Sequence, residues 1–556
     1  MAKSLSAGFS RSAWSKLGQS GTSMPSEHRF GQRGGTWLIA TLAAMACLGT
    51  AGISWAQVAP DEPPPPPEGI EPSEVAVDPT PLDPSPPPVY TPPPPPVYMP
   101  PPPPPYVPPP IPQKPNNRYF LQVGIWPEAE RFAGLLQFGL VEPKAQKIFA
   151  PLQLGLLGAE AREFSGLAQV GLIRTETKHV FRGGMQVTLG RNLVDEYYGG
   201  VQFAVYRNAA SDIFAGVAQI GLIRNDTKRF AGLLQLGARN SADAFIGALQ
   251  MGAYNVVGNG FEYNEDDYDY GGRRGGGFVG GVQLGAYNKI EQGNFNGLMQ
   301  LGGGNNIAHG AFRGVVQAGL LNGVEHGFNG LAQIGLASYA GNGFRGFGQF
   351  GVLNMSEDDF YGVAQVGAVN LVLDDSFKGF GQFGAVNFVE EEFDGVAQIG
   401  GLANWVHDSF NGVVQMGGVF NYVRDDFNGV FQIGAFNFVK EDFSGVAQIG
   451  AANFTNDEHI GAQLGVFNHV DDQLYGLQAG VVSIAEEAEG AQLGAVNYTD
   501  RLKGLHLGIY NEARQMKGVQ IGLINRTGRL RGAQIGLINL SKHGGFPFFP
   551  ILNVGL

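Results

Sequence analysis

"FNGVFQIGAFNFVKEDFSGVAQIGAANF", residues 427–454, states one phrase twice: Phe, Gly two later, Gln three after that, Gly two later, then Asn. A Gln between glycines that returns on schedule is either a repeated chemical group or a repeated fastening. Marking it along the chain decides between them. The slot is occupied from Gln122 to Gln534 in 26 copies, including Gln349, Gln365, Gln382, Gln398, Gln415, Gln432, Gln448, Gln520 and Gln534; His506 takes it once. Catalysis does not need one group 26 times. A mid-strand amide flanked by small residues is suited to hydrogen-bond its neighbours.

The spacing is mostly 15 to 17 residues and tightens to 14 near the end, as in "GVQIGLINRTGRLRGAQIGLIN" (518–539). Each copy alternates with period two, the signature of a β-strand. One face carries Phe431, Ile433 and Ala435, ending in Asn437; the other carries Val430, Gln432, Gly434 and Phe436. Turns such as "SEDD", "VEEE" and "VRDD" separate the copies, rich in the residues that turns require. No helical period follows residue 118, so the fold class is all-β.

Two architectures use up such a repeat. In a parallel β-solenoid each copy is one coil, and Gln and Asn stack into ladders. In an antiparallel meander each copy is one strand and one turn. Charge favours the meander: a solenoid would stack Asp358/Asp359, Asp374/Asp375, Glu390/Glu391/Glu392, Asp425/Asp426 and Glu441/Asp442 at about 4.8 Å. Antiparallel turns alternate ends, which separates like charges by about a Debye length. About ten residues of strand plus a short turn also suits a membrane-spanning barrel, and an even number of copies suits its closure. The expected fold is a closed antiparallel β-barrel, or a shallow repeat barrel, of about 26 strands; the alternative is the parallel solenoid. The C-terminal "FFPILNVGL" resembles the terminal strand read by outer-membrane insertion machinery, departing from it in Pro550 and in ending on Leu556.

The rest of the chain divides by composition. Residues 1–56 read as a secretory signal, with a basic leader, the apolar run "WLIATLAAMACLGTAGISWA" and a small-residue ending at Ala56. A competing reading attaches lipid to Cys47, the single cysteine. Residues 57–117 are a proline-rich, disordered polyproline II spacer, whose proline tract of roughly 55 residues from about Pro60 to Pro115 could reach about 170 Å at ~3.1 Å per residue and so lie along peptidoglycan or cell wall. Residues 118–556 are the β-repeat domain, broken once by a long loop at 256–277.

Charged residues are only 15% of the chain and Gly accounts for 85 of 556, which suits glycine-punctuated β structure. A net charge of −13 argues against a nucleic-acid partner. No catalytic constellation and no cofactor motif stands out. "GNGFRG" (341–346) matches a dinucleotide-binding pattern, but the strand and helix that pattern needs are not around it. In the loop, Glu265, Asp266, Asp267 and Asp269 are oxygen ligands suited to Ca²⁺, although Arg273 and Arg274 are there to neutralise them.

The repeat resembles bacterial surface-repeat proteins built from tandem G-x-Q-x-G-x-x-N units, as in "GVQIGLIN" (518–525) and "GAQIGLIN" (532–539), which finish in a "PFFPILN"-like segment (547–553). The resemblance covers residues 118–556 and implies shallow β-flower-like barrels, an envelope location and no catalytic residues. The expectation is an exported, non-enzymatic protein of the outer membrane or cell surface. Its partners would be outer-membrane or envelope components and its role structural, interactive or pore-forming; the alternative is a surface-displayed solenoid adhesin or ligand-binding module.

Overall fold

The computed structural model describes residues 116–117, 120–258 and 276–556. Coil after coil they lay down strands that pair in parallel and in register with the coils before and after. Phe427 pairs with Phe410 and Phe443, Gln432 with Gln415 and Gln448, and Asn437 with Asn421 and Asn453. The fold is therefore a parallel β-solenoid and not the expected closed antiparallel barrel. The single antiparallel pairing among the described strands is that of Phe548–Gly555 against residues 532–540 of the preceding strand.

In the coil of Gln432 three short strands follow one another, Phe427–Asn428, Phe431–Ile433 and Phe436–Val439. Four side chains point inward and are fully buried: Phe427, Gln432, Asn437 and Val439. Phe431 and Phe436 point outward and are exposed. This burial settles which face is which and corrects where Asn437 lies. The Gln side is the core, and the apolar residues beside it are the surface. The alternation from Val430 to Asn437 also crosses a corner at Ala435 and Phe436, so Asn437 joins Gln432 inside.

The glycines of the motif are dictated by what lies over them. A Cβ at Gly429 would sit 2.7 Å from Cζ of Phe427, whose ring covers it, and a Cβ at Gly434 would sit 2.7 Å from Nδ2 of Asn421. Hence F-x-G and Q-x-G-x-x-N: each bulky inward group needs a bare backbone beside it.

The inward columns hold the rod together. From Phe164 to Phe443 one aromatic per coil stacks on the next, with ring centroids at 4.9 Å for Phe164–Phe181 and 4.8 Å for Phe427–Phe443. Strand spacing sets that distance, and each such pair contributes about 0.5–1.5 kcal/mol beyond its buried area. Along the Gln row Nε2–H is donated to Oε1 of the preceding coil, as in Gln432 to Gln415 and Gln448 to Gln432, both 2.8 Å. The Asn row runs the other way: Asn421 donates to Asn437 and Asn437 to Asn453, both 2.8 Å. Burying an amide this way leaves little unmet polar demand.

Beyond His459 the coil shrinks. Leu474, Ala488, Leu502, Met516 and Leu530 replace the ring and form a second, slimmer core. The corner before the Gln slot is then made by Gly476, Gly490, Gly504, Gly518 and Gly532 at φ between 132° and 152°, a region that disfavours other residues. Gly461 makes the same corner where the spacing is still 15, and the corner persists through the 14-residue coils that follow.

The expected load of stacked acidic turns is present and tolerated. Burial, reinforced by Glu357, Asp374, Asp375 and Asp359, raises the Asp358 carboxyl above its ordinary range, and Glu441 and Asp457 are raised similarly. Lys378 lies 3.3 Å from Asp359, which interleaves a positive charge, and His407 lies 3.2 Å from Glu390. Repulsion between water-exposed groups is on the order of 1 kcal/mol or less per pair, and the inner columns outweigh it.

Phe548–Gly555 closes the C-terminal end. Asn553 donates to Oε1 of Gln534, ending the Gln row, and Asn539 donates to the carbonyl of Phe549, ending the Asn row. Pro550 brings no N–H to the new edge, a recognised way of blunting an exposed strand.

Candidate functional site

The Gln slots are internal and hold no site. Gln349, Gln365, Gln382, Gln398, Gln415, Gln432, Gln448, Gln520 and Gln534 are all fully buried. The ladders are interrupted at three places. Ser338 and Ser483 stand in the Asn row, and His506 stands in the Gln row. In each case an amide of the next coil is left with a buried, unpartnered atom: Asn354 Oδ1, Asn497 Oδ1 and Gln520 Nε2.

His506 is held by one contact. Thr499 Oγ1 donates to Gln492 Oε1 at 2.7 Å and lies 3.0 Å from His506 Nε2, so Nε2–H donates to the hydroxyl and Nδ1 has no partner. Burial lowers its pKa to about 3. His459, at the end of the aromatic stack with its ring 4.4 Å from Phe443, is likewise lowered to about 3 by burial. Neither ring meets solvent, so neither is placed for acid–base work on a ligand.

Cys47 and the loop residues Glu265, Asp266, Asp267 and Asp269 lie outside the described residues, as do the signal segment and the spacer apart from Asn116 and Asn117. The loop leaves the rod undisturbed: Gln283 donates to Gln250 at 2.8 Å across 33 residues, and Phe245 pairs with Phe278. The segment 341–346 is a turn running into the strand Phe344–Arg345, with no helix after it. Among the described residues no group of three or more His, Cys, Asp or Glu is arranged to hold a metal ion.

What the fold does build is a surface. Relative to the Gln slot, the residues two before, one before, one after and three after form columns along the outside, the second of them half sunk between its neighbours. In none of the 26 copies does any of these positions carry a polar or charged side chain. Leu331, Ile334 and Leu336 represent one coil, exposed by 52%, 44% and 55%, and Val413 and Met416 another. Near the C-terminal end Leu507, Leu523, Ile535, Leu537 and Ile551 frame an open apolar groove of about 440 Å³.

One border of this stripe is basic for part of its length. Arg174, Arg191, Arg207, Arg224 and Arg239 pair coil to coil in one outward column. Around Arg174 the charges balance, with Glu142 at 2.8 Å and Glu176 at 3.1 Å. Farther along, the neighbouring outward column is Leu193, Ala209, Asp226 and Ser241. It sets a single carboxylate, bonded to Arg207 and Arg224 at 2.7 Å, beside four guanidinium groups. Arg191 lies over the ring of Tyr206 and Arg239 over that of Tyr254. Sequence reasoning missed this column, although arginines spaced 15 to 17 apart were there to be aligned on the Gln slot.

No family model, curated protein or solved structure matches the chain.

Proposed function

We propose that the chain is a non-enzymatic structural and interaction rod of the cell envelope, exported by its leader and held out by its proline spacer. The observation that supports this reading most is the use of the interior. The inward columns are filled by ring stacks, amide ladders and aliphatic side chains, and the chemistry left over is an extended outer surface. The resemblance of the G-x-Q-x-G-x-x-N units to bacterial surface repeats supports the same compartment, and a solenoid displayed as an adhesin or ligand-binding module belongs to this reading.

The test is expression in a Gram-negative host with fractionation, surface labelling and mass spectrometry of the mature N-terminus. Processing after Ala56, with label on the rod, is expected. An N-terminus at acylated Cys47 would replace the spacer's free end with a lipid tether. An unprocessed cytoplasmic chain would sink the proposal.

A further inference from the structure

The apolar stripe needs an occupant. Twenty-six coils at about 4.8 Å make it about 120 Å long, and its area is on the order of 1,500–2,000 Å², several times the largest apolar patch of ordinary soluble monomers. We propose that this stripe is a lipid-binding face, on which the rod lies lengthwise against a membrane surface, with Arg191, Arg207, Arg224 and Arg239 set against anionic headgroups. The proposal deepens the envelope reading and rests on it for the compartment.

Three observations favour lipid over a protein partner. The first is the contrast between inside and outside. Inward columns repeat the same residue, because a neighbour of fixed shape sits on each. Outward columns keep apolarity and abandon size: the position two before the Gln slot is Leu331, Phe347, Val363 and Phe380 in successive coils, and Gly281 earlier. Packed protein interfaces need matched shapes and about one hydrogen bond per 100–200 Å². Fluid acyl chains need only an apolar surface.

The second observation is charge. The arginine column runs directly beside the stripe, in the position from which a guanidinium reaches headgroup phosphate while the leucines beside it enter the acyl boundary. Tyr206, Tyr254 and Tyr287 continue or flank the same column, and the rings of Trp405 and Tyr422 lie tilted with centroids 4.2 Å apart one column farther out. Aromatic residues with a polar end are characteristic of the membrane–water boundary.

The third is the backbone. Lipid tolerates a peptide group only if its hydrogen bonds are met within the protein. In this rod the ladder bonds run along the axis, parallel to the stripe, so the face presents side chains and no open sheet edge.

The experiment uses the full chain with vesicles of phosphatidylcholine, alone or with phosphatidylglycerol. In a C47S background an environment-sensitive fluorophore is placed either at V413C, in the stripe, or at D408C, in an acidic turn. The stripe probe is expected to enter an apolar environment on adding vesicles while the turn probe stays aqueous. R191Q/R239Q is expected to weaken binding to anionic vesicles by about fivefold per arginine and to leave neutral vesicles unaffected. The leader is common to all variants, so differences between them report on the rod, and circular dichroism checks that each retains its β signal.

A stripe probe that stays aqueous in lipid overturns the proposal. So does one already buried without lipid in a sedimenting dimer that V446E dissociates, which would make the stripe a contact between two copies. Loss of the envelope reading looks different: an unprocessed cytoplasmic chain whose purified rod still places its stripe probe in lipid.

Discussion

Replacing His506 by Gln should mend the amide row and remove a pH liability together. At neutral pH, H506Q supplies an acceptor for Gln520 Nε2, which has no partner in the wild type. Relief of a buried unsatisfied donor stabilises by about 1–3 kcal/mol. The second part comes from linkage. The folded His506 titrates at about 3 and the free side chain at 6.5. Below 6.5 the unfolded chain takes up a proton that the folded chain refuses, so stability falls as pH falls, down to about 3. Between pH 7 and pH 5 that loss is about 2 kcal/mol. The advantage of H506Q should therefore grow from about 1–3 kcal/mol at pH 7 to about 3–5 kcal/mol at pH 5. His459 titrates in the same way in both proteins and drops out of the difference. A long repeat array need not unfold in one step, so the assay is native-state hydrogen exchange on the amides of residues 504–511, compared at the two pH values. An advantage that is equal at both values, or a loss of protection in H506Q, would refute the reasoning.

S338N and S483N should each supply the missing donor to Asn354 Oδ1 and Asn497 Oδ1, with gains of about 1 kcal/mol seen as slower local exchange; faster exchange would show that the serine pockets do not admit the amide. F328A removes a fully buried ring from the middle of the stack and should destabilise its coil and both neighbours by about 3–5 kcal/mol, measured as protection lost there before the ends of the rod. Carboxyls raised in the folded state hold protons more tightly than the unfolded chain does, so their contribution improves as pH falls toward the ordinary carboxylate range and worsens above it. At pH 7, E441Q or added salt should therefore slow exchange in the turns around residues 425–442, by no more than about 0.5 kcal/mol because these groups face water.

The period, the all-β class and the interruption after Val257 were legible because they are properties of spacing. Parallel pairing was not, because the stacked carboxylates of Asp358, Asp374 and Glu391 argue against it when charge alone is read from the sequence. In water they cost little beside a Phe, a Gln and an Asn that each gain a partner in every coil. Which face is buried was not legible for a related reason. A buried Gln432 looks costly when its strand is taken alone, and loses that cost once Gln415 and Gln448 lie against it at strand spacing. Constancy was the better guide: positions that seldom change, such as Gln, Asn and Phe, face a matching neighbour, while positions that wander among Gly, Ala, Leu and Phe face none. The lipid-facing columns were readable by the same rule, and only after the coils were aligned on the Gln slot.

In-register stacking also makes the length of the rod a quantity that can be edited. Excising residues 416–432 removes one full turn and brings Gln415 to 16 residues before Gln448, a separation already present between neighbouring coils. The surfaces that meet are the ones that met other coils before, so the rod shortens by about 4.8 Å with its two ends untouched. Such a molecule works as a ruler: recombination between near-identical coils resets its span in single graduations, and the terminal strand with Pro550 marks where the scale stops.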